Sequence, residues 1–398
     1  MARWIAALPG RWHTPIAALV TAAACLAASG PAPAANPAAA NPAPSHAASP
    51  SPAARNPAAS TPAPPPALPV RAAALLEETT DQSLYSLNAS AELSIASTTK
   101  LMTALVTLQH ASLGEVFGNP GYTFPPEDTQ IYMQPGERMT VRDLLTAMLL
   151  PSADDAAEVL AYNVGGGSVA RFVSMMNTRA GQLGLSHTHY STPIGLDTPG
   201  NYSSAGDLVS LARYDLVGEP FIRTTVAERS AILQSGNHVR YVTNYNDLIG
   251  RYWWINGVKT GHTSGAGYVL VASGTRVRGG MTLIGAVLGA GTMASADSAA
   301  LALLNWGFAT YQLRTPVQAG QTFARPGVSG QPGRRVRVIA ASTYAHVFPR
   351  GTRVRVRVKV PAELAPPLRR HAVIGYIRVI VGRRTVARIP LLLARRLA

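Results

Sequence analysis

Ser94-Ile95-Ala96-Ser97-Thr98-Thr99-Lys100-Leu101-Met102-Thr103-Ala104-Leu105-Val106 is the stretch from which the rest of the chain is read. From Ser97 to Gln109 the apolar residues keep helical spacing, with Leu101, Leu105 and Leu108 on one stripe and Met102 and Val106 beside it. Residues three apart on a helix share a face, their Cβ atoms about 5–6 Å apart, so Ser97 and Lys100 look the same way. At a helix start, unpaired N–H groups and the dipole favour negative charge. A serine hydroxyl becomes a nucleophile only when a neighbouring base takes its proton. Lysine serves as that base once burial and a second cation lower its pKa. By itself, Ser-x-x-Lys is equally a helix cap with an exposed lysine one turn on. What else the chain carries decides between them.

Two further motifs follow in order. Ser152-Ala153-Asp154 comes after the helical segment ending at Leu150-Pro151; alone it reads as a cap for the segment from Asp155. Lys259-Thr260-Gly261 precedes His262-Thr263 and the apolar strand Tyr268 to Ala272. A small, glycine-containing strand edge lets a substrate backbone come close. Lys259 would add the second positive charge that depresses Lys100, and Thr260 and Thr263 offer hydroxyl donors. Ser-x-x-Lys, then Ser-x-acid or amide, then Lys-Thr-Gly is the set found in penicillin-binding proteins and class A β-lactamases.

On these motifs the chain resembles the low-molecular-mass penicillin-binding proteins, the serine D-alanyl-D-alanine carboxypeptidases. The resemblance runs from Ala73 to about Phe308 and takes in stretches without catalytic groups: SIASTTKLMTALV, GERMTVRDLLTAMLLPSADDAAEVLA, STPIGLDTPGNYSSAGDL and INGVKTGHTSGAGYVLVASG. ELAPPLRRHAVIGYIRV looks like that family's C-terminal β-domain. The resemblance implies an α+β fold of the β-lactamase/transpeptidase type, an antiparallel sheet flanked by helices, followed by a small all-β sandwich. It also implies acyl transfer on peptidoglycan stem peptides ending in D-Ala-D-Ala, and covalent inhibition by β-lactams. Ser97 would attack, Lys100 take its proton and Ser152 relay protons. Backbone N–H groups of Ser97 and His262 would hold the oxyanion, a contribution of about 3–4 kcal/mol per donor. Asp154, Lys259, Thr260, Gly261, His262 and Thr263 would line the substrate site.

Two departures stand out. The family usually has Asn where this chain has Asp154, and an ionised Asp only accepts hydrogen bonds. Its charge is expected to favour the protonated forms of Lys100 and Lys259. The family also commonly carries an Arg ahead of the Trp-Gly-Phe segment to meet the substrate carboxylate, whereas Thr292 to Leu303 holds none. These departures motivate a second reading, a wall-binding scaffold that kept the fold and lost activity. A β-lactamase is a third reading, but Glu219-Pro220-Phe221-Ile222-Arg223 ends in Arg where that enzyme's loop has Asn, and reads instead as a helix-to-strand connection. No metal or other cofactor is expected: His187-Thr188-His189 has no third ligand nearby. A Gly-x-Ser-x-Gly elbow is absent too.

Bulk properties place the chemistry. The 398 residues exceed one compact core, and 47% are apolar. Residues 1–30 read as an export signal: Arg3 and Arg11, the apolar run Pro15 to Ala28, then Ala32-Pro33-Ala34. The run falls short of the ~20 residues a membrane-spanning helix needs. Cys25, the single cysteine, lies within it, without the usual bulky residue three positions upstream of a lipidation site. Residues 31–69, nearly all Ala, Pro, Ser and Asn, form a tether. Residues 70–314 then carry the catalytic domain and 315–398 a basic β-domain. From Gln331 onward there are fifteen Arg and one Lys against one acid, Glu363, and Arg353 to Val360 alternates with the period of a half-buried strand. The formal charge of +15 calls for anionic partners. In an exported protein these are wall polymer or a membrane surface and not nucleic acid, and the cell envelope is the expected location.

Overall fold

The computed structural model describes residues 64–277 and 280–398. The expected export signal, and the expected tether as far as residue 63, lie outside the described residues. β1 (Ala72–Glu77) and β2 (Gln82–Leu87) form the opening hairpin. A 3-10 turn, Ala96–Thr99, runs directly into α1 (Lys100–His110). The minor hairpin β3 (Val116–Gly118) and β4 (Arg138–Thr140) leads to α2 (Val141–Leu149), α3 (Asp154–Val164) and α4 (Val169–Gln182). α5 (Ala205–Gly218) and the short α6 (Pro220–Thr225) precede a second minor hairpin, β5 (Ser230–Leu233) and β6 (Arg240–Thr243). β7 (Ile255–Thr263), β8 (Gly267–Thr275) and β9 (Thr282–Ala290) are followed by α7 (Met293–Thr310).

The main sheet has the order β2-β1-β9-β8-β7 and is antiparallel throughout. Every residue of β1 is buried. Alternation is lost there because helices cover both faces. Ala72, Ala74 and Leu76 join a cluster with Leu101 and Leu105 of α1 and Leu208 and Leu211 of α5. Ala73 and Leu75 face the other way, against Ala300, Leu303 and Leu304 of α7. β7 is the outer strand, so the Lys-Thr-Gly motif lies on an open edge beside the start of α1. Two local expectations need correction. Ser97 sits in the 3-10 turn and not in the α-helix, and Pro220–Thr225 is a short helix with proline at its first turn, where proline's fixed φ is favourable.

From Tyr311 onward the chain is strand and turn: β10 (Tyr311–Val317), β11 (Thr322–Ala324), β12 (Gly327–Val328), β13 (Gln331–Arg335), β14 (Val338–Ala340), β15 (Tyr344–Pro349), β16 (Val354–Lys359), β17 (Glu363–Leu364), β18 (Val373–Val381) and β19 (Arg384–Leu393). A sheet of order β11-β14-β19-β18-β16 faces a core of Val317, Val338, Ala340, Ile377, Val379, Ile389 and Leu391. The three-stranded β13-β12-β17 and the pair β10-β15 complete it. Arg350 ties this part to the end of α7, its Nε and Nη2 donating to Phe308 O at 2.9 and 2.7 Å.

One buried ion pair braces the loop that leads to the site. Arg240 Nη1 and Nη2 donate to the two carboxylate oxygens of Glu137, both at 2.9 Å, while its Nε donates to Ile131 O at 2.9 Å. Burial alone would raise the Glu137 carboxyl from 4.5. The Arg240 hydrogen bonds, the Asn237 and Gln134 amides and the Arg240 charge outweigh it and hold the group at about 2. The pair therefore contributes fully above about pH 4.5 and fades as pH falls towards 2. Glu137→Gln strands a buried guanidinium and is expected to cost about 3–5 kcal/mol, read from the urea midpoint at pH 7. That deficit should shrink as the midpoints are measured at progressively lower pH.

Candidate active site

The Ser97 turn is held in one unusual conformation. Ala96, just before it, has φ +48, a left-handed value costly for alanine. Gly195 makes room for it: a Cβ there would lie 2.0 Å from Ala96 O and 2.8 Å from Thr99 Oγ1. On the far side β7 closes in, and a Cβ on Gly261 would lie 3.0 Å from Ser97 N. Two glycines distant in sequence thus let a loop and a strand grip the turn.

Lys100 Nζ donates to Ser97 Oγ at 2.9 Å, to Asp154 Oδ1 at 2.6 Å and to Ile194 O at 2.9 Å. Its three N–H groups are all used inside a fully buried site. Asp154 is itself pinned: its Oδ2 accepts from Thr129 N at 3.1 Å and its own N–H donates to Thr129 O at 2.6 Å. Asp155 holds the same loop, accepting from Ile131 and Met133 amides. Burial pushes the Lys100 ammonium below the ordinary lysine value, against the Asp154 charge and hydrogen bond and the weaker pull of Glu158 and Asp128. Asp154 favours the charged form of Lys100, as expected, but desolvation is the larger effect and leaves the ammonium below its ordinary value. Lys259 is also fully buried, its Nζ donating to Thr260 O at 3.1 Å. Burial first and the Lys100 charge second hold it well below its ordinary range.

Ser152 does not cap α3. The cap position is Ala153, without a side-chain bond, and Ser152 Oγ is buried with no hydrogen-bond partner at φ +67. The hydroxyl is therefore uncommitted, two residues before Asp154. Thr260 is buried on β7, and His262 is exposed and stacked on Tyr268 with centroids 4.0 Å apart. Thr263 is differently placed from the expectation: its hydroxyl donates to Asp197 Oδ1 at 2.7 Å, and Asp197 Oδ2 takes Gly265 N at 2.8 Å. It therefore fastens the β7–β8 turn instead of offering a free donor.

Sequence reasoning missed Asp197, Ile194, Gly195, Thr129 and Glu158. The signal for Glu158 was present, since it lies one helical turn beyond Asp154. Burial, then the Asp154 charge, with Lys100 opposing and Asp128 reinforcing, push Glu158 up to about 7. Above that pH it adds a negative charge near the lysine.

A serine bonded to a buried lysine, beside a second lysine on an open sheet edge, defines a serine acyl-enzyme hydrolase. Residues 58–292 match the family model described as D-alanyl-D-alanine carboxypeptidase. The D-alanyl-D-alanine carboxypeptidase DacA of Escherichia coli K12 is 30% identical over 347 residues, 82% of this chain and 83% of that relative. Penicillin binding protein 5 from Haemophilus influenzae superposes with a TM-score of 0.69 at 27% identity, covering 84% of this chain and 99% of that one. The Streptomyces K15 DD-transpeptidase gives 0.59 at 32% identity, covering 62% and 100%. The chain belongs to the D-alanyl-D-alanine carboxypeptidase family.

Two substitutions probe this geometry. Asp154→Asn removes a charge that raises the Lys100 pKa, so the acid limb of the pH profile for acylation should move to lower pH; an unmoved limb would mean that Lys100 is not the titrating base. Gly195→Ala drives a methyl into Ala96 O and should cut acylation by more than about 100-fold, the scale of misplacing a reacting group by an ångström.

Proposed function

We propose that Ser97 is the acylated nucleophile with which this carboxypeptidase removes the terminal D-alanine from peptidoglycan stem peptides. The observation that carries the reading is the shared contact of Lys100 Nζ with Ser97 Oγ at 2.9 Å and Asp154 Oδ1 at 2.6 Å. Lys100 accepts the serine proton in its neutral form, the form that burial favours. Ser97 Oγ then bonds to the carbonyl carbon between the two D-alanines. The N–H groups of Ser97 and His262 hold the oxygen as it becomes negative, the point at which fixed donors contribute most. The tetrahedral species collapses, the C–N bond breaks, and Ser152 passes a proton to the departing amine. Water repeats the sequence on the ester and frees Ser97.

Lys259 and Thr260 receive the substrate carboxylate on β7, with Gly261 admitting the peptide backbone. Thr263 acts through the turn it fastens with Asp197. β-Lactams acylate Ser97 by the same route. The domain division at residues 70–314 and 315–398, the export signal, the Ala/Pro tether and contact of the basic domain with anionic wall polymer or membrane belong to the same proposal. They place the enzyme outside the cytoplasmic membrane, where its substrate is.

Intact mass after incubation with benzylpenicillin tests the reading. A covalent adduct on the wild type that Ser97→Ala lacks is expected, together with loss of D-alanine release from a D-Ala-D-Ala peptide. No adduct on the wild type would favour the inactive wall-binding scaffold, and rapid nitrocefin turnover would favour a β-lactamase.

A further inference from the structure

The register of the C-terminal sheet sets three arginines side by side. Arg357 on β16 pairs directly with Arg378 on β18, which pairs directly with Arg388 on β19. Directly opposed residues share one face with Cβ atoms about 4.5–5.5 Å apart. The neighbours of this row in register are Val356, Val379 and Ala387 on one side and Val358, Ile377 and Ile389 on the other. Ile377, Val379 and Ile389 lie in the domain core, so the arginines point outward. Arg355 and Lys359, two residues either side of Arg357, extend the same face along the edge strand.

Among the described residues no acid on this face answers the charge, and Arg355 Nη2 donates to the Gly382 carbonyl at 2.7 Å. The only acid beyond Gln331 is Glu363, which lies on β17 in the other sheet and takes Ser329 Oγ at 3.3 Å. Among the described residues no ion pair involves any residue beyond Arg240. Arg378 Nε is buried without a hydrogen-bond partner. Arg388 lies over the Tyr376 ring at 3.7 Å, with Lys359 6.0 Å from the same ring.

Like charges directly opposed destabilise a sheet. Cations on an exposed edge strand have a familiar purpose, blocking sheet-to-sheet association. That accounts for Arg355, Arg357 and Lys359 on β16, and for Arg388, since β14 pairs with β19 only from Leu391 to Leu393, but not for Arg378, which has a paired strand on either side. At Arg378 the repulsion persists where no edge needs protection.

We propose that this face of β16, β18 and β19 is a binding surface for a linear wall polymer of repeating phosphodiesters, an inference that rests on the extracytoplasmic placement given above. Guanidinium forks match phosphate oxygens two at a time. Neighbouring strands lie about 4.7–4.9 Å apart and alternate residues on one strand about 6.5–7 Å, so the row and the edge offer several contacts to one extended polyanion. A bilayer fits the face less well. Surface helices and strands that enter a lipid interface present exposed apolar side chains beside their cations. Here Ile380 is buried and the Tyr376 ring is covered by Arg388, while exposed Val356 and Val358 belong to the opposite face. Bound this way, the domain would keep the catalytic half close to the wall it trims.

The test uses the full chain with purified poly(glycerol phosphate), and separately with vesicles of phosphatidylglycerol and phosphatidylcholine. R378Q/R388Q should weaken polymer binding roughly tenfold or more at low salt. It should also reduce the slope of log Kd against log salt by about two, one per guanidinium removed. Its melting temperature should rise, because the opposed charges are relieved. R334Q/R335Q on β13 removes equal charge off the face and should leave polymer affinity within about twofold of wild type. Benzylpenicillin acylation is followed in every variant and should not change, so failure here is separable from failure of the enzymatic reading. Equal weakening by R334Q/R335Q would reduce the surface to net charge and overturn the proposal. So would wild-type binding to vesicles but not polymer, binding to neither, or undiminished polymer binding by R378Q/R388Q.

Discussion

The Lys100 ammonium is fully buried with three acceptors around it: a hydroxyl, a carboxylate and a backbone carbonyl. An isolated cation at such depth would be severely destabilising. The surrounding structure is arranged to make it tolerable without making it inert. α1 carries the lysine, α3 brings the carboxylate, and the segment before α5 brings the carbonyl. Burial and pairing pull its proton affinity in opposite directions, and burial is the stronger. A lysine in that balance can hold a proton at rest and release it when a substrate arrives.

The same balance explains why Asp at position 154 is compatible with a general base. Its charge is offset by desolvation of the lysine and shared with the Thr129 amide. Nearby Glu158 stays largely protonated below neutrality, so the negative charge around Lys100 is limited. Left-handed backbone at Ala96 and Ser152 places both hydroxyl-bearing residues where ordinary helix geometry would not. Conformations of that kind persist only where the surroundings over-determine them, and at Ala96 the close approach of Gly195 and Gly261 does so.

Charge is handled oppositely in the two parts of the molecule. In the catalytic half the buried cations are met by oxygen atoms, as at Lys100 with Asp154 and Arg240 with Glu137. In the C-terminal sheet, cations are stacked in register on an outer face with no acid opposite. Stability favours the first arrangement. The second costs stability in isolation, which is why a ligand of opposite charge makes physical sense of it.

Much of this was legible along the chain. Period and composition give the α1 helix, the apolar strand Tyr268 to Ala272 and the alternating β16, because each depends on which side chains meet water over a few residues. The order Ser97…Lys100, Ser152…Asp154, Lys259-Thr260-Gly261 identifies the chemistry, because those residue types have few other reasons to recur together. Other facts arise only when distant segments touch. Desolvation outweighs Asp154 at Lys100 because α1 is enclosed from several sides. Asp197 takes the Thr263 hydroxyl because a loop folds over the β7–β8 turn. The arginines of three strands align because register, a property of pairing, brings residues 357, 378 and 388 into one row. Local pattern fixes what each segment is; proximity between segments fixes the charge state and partner of each side chain, since burial and Coulomb forces depend on distance in space and not on separation along the chain.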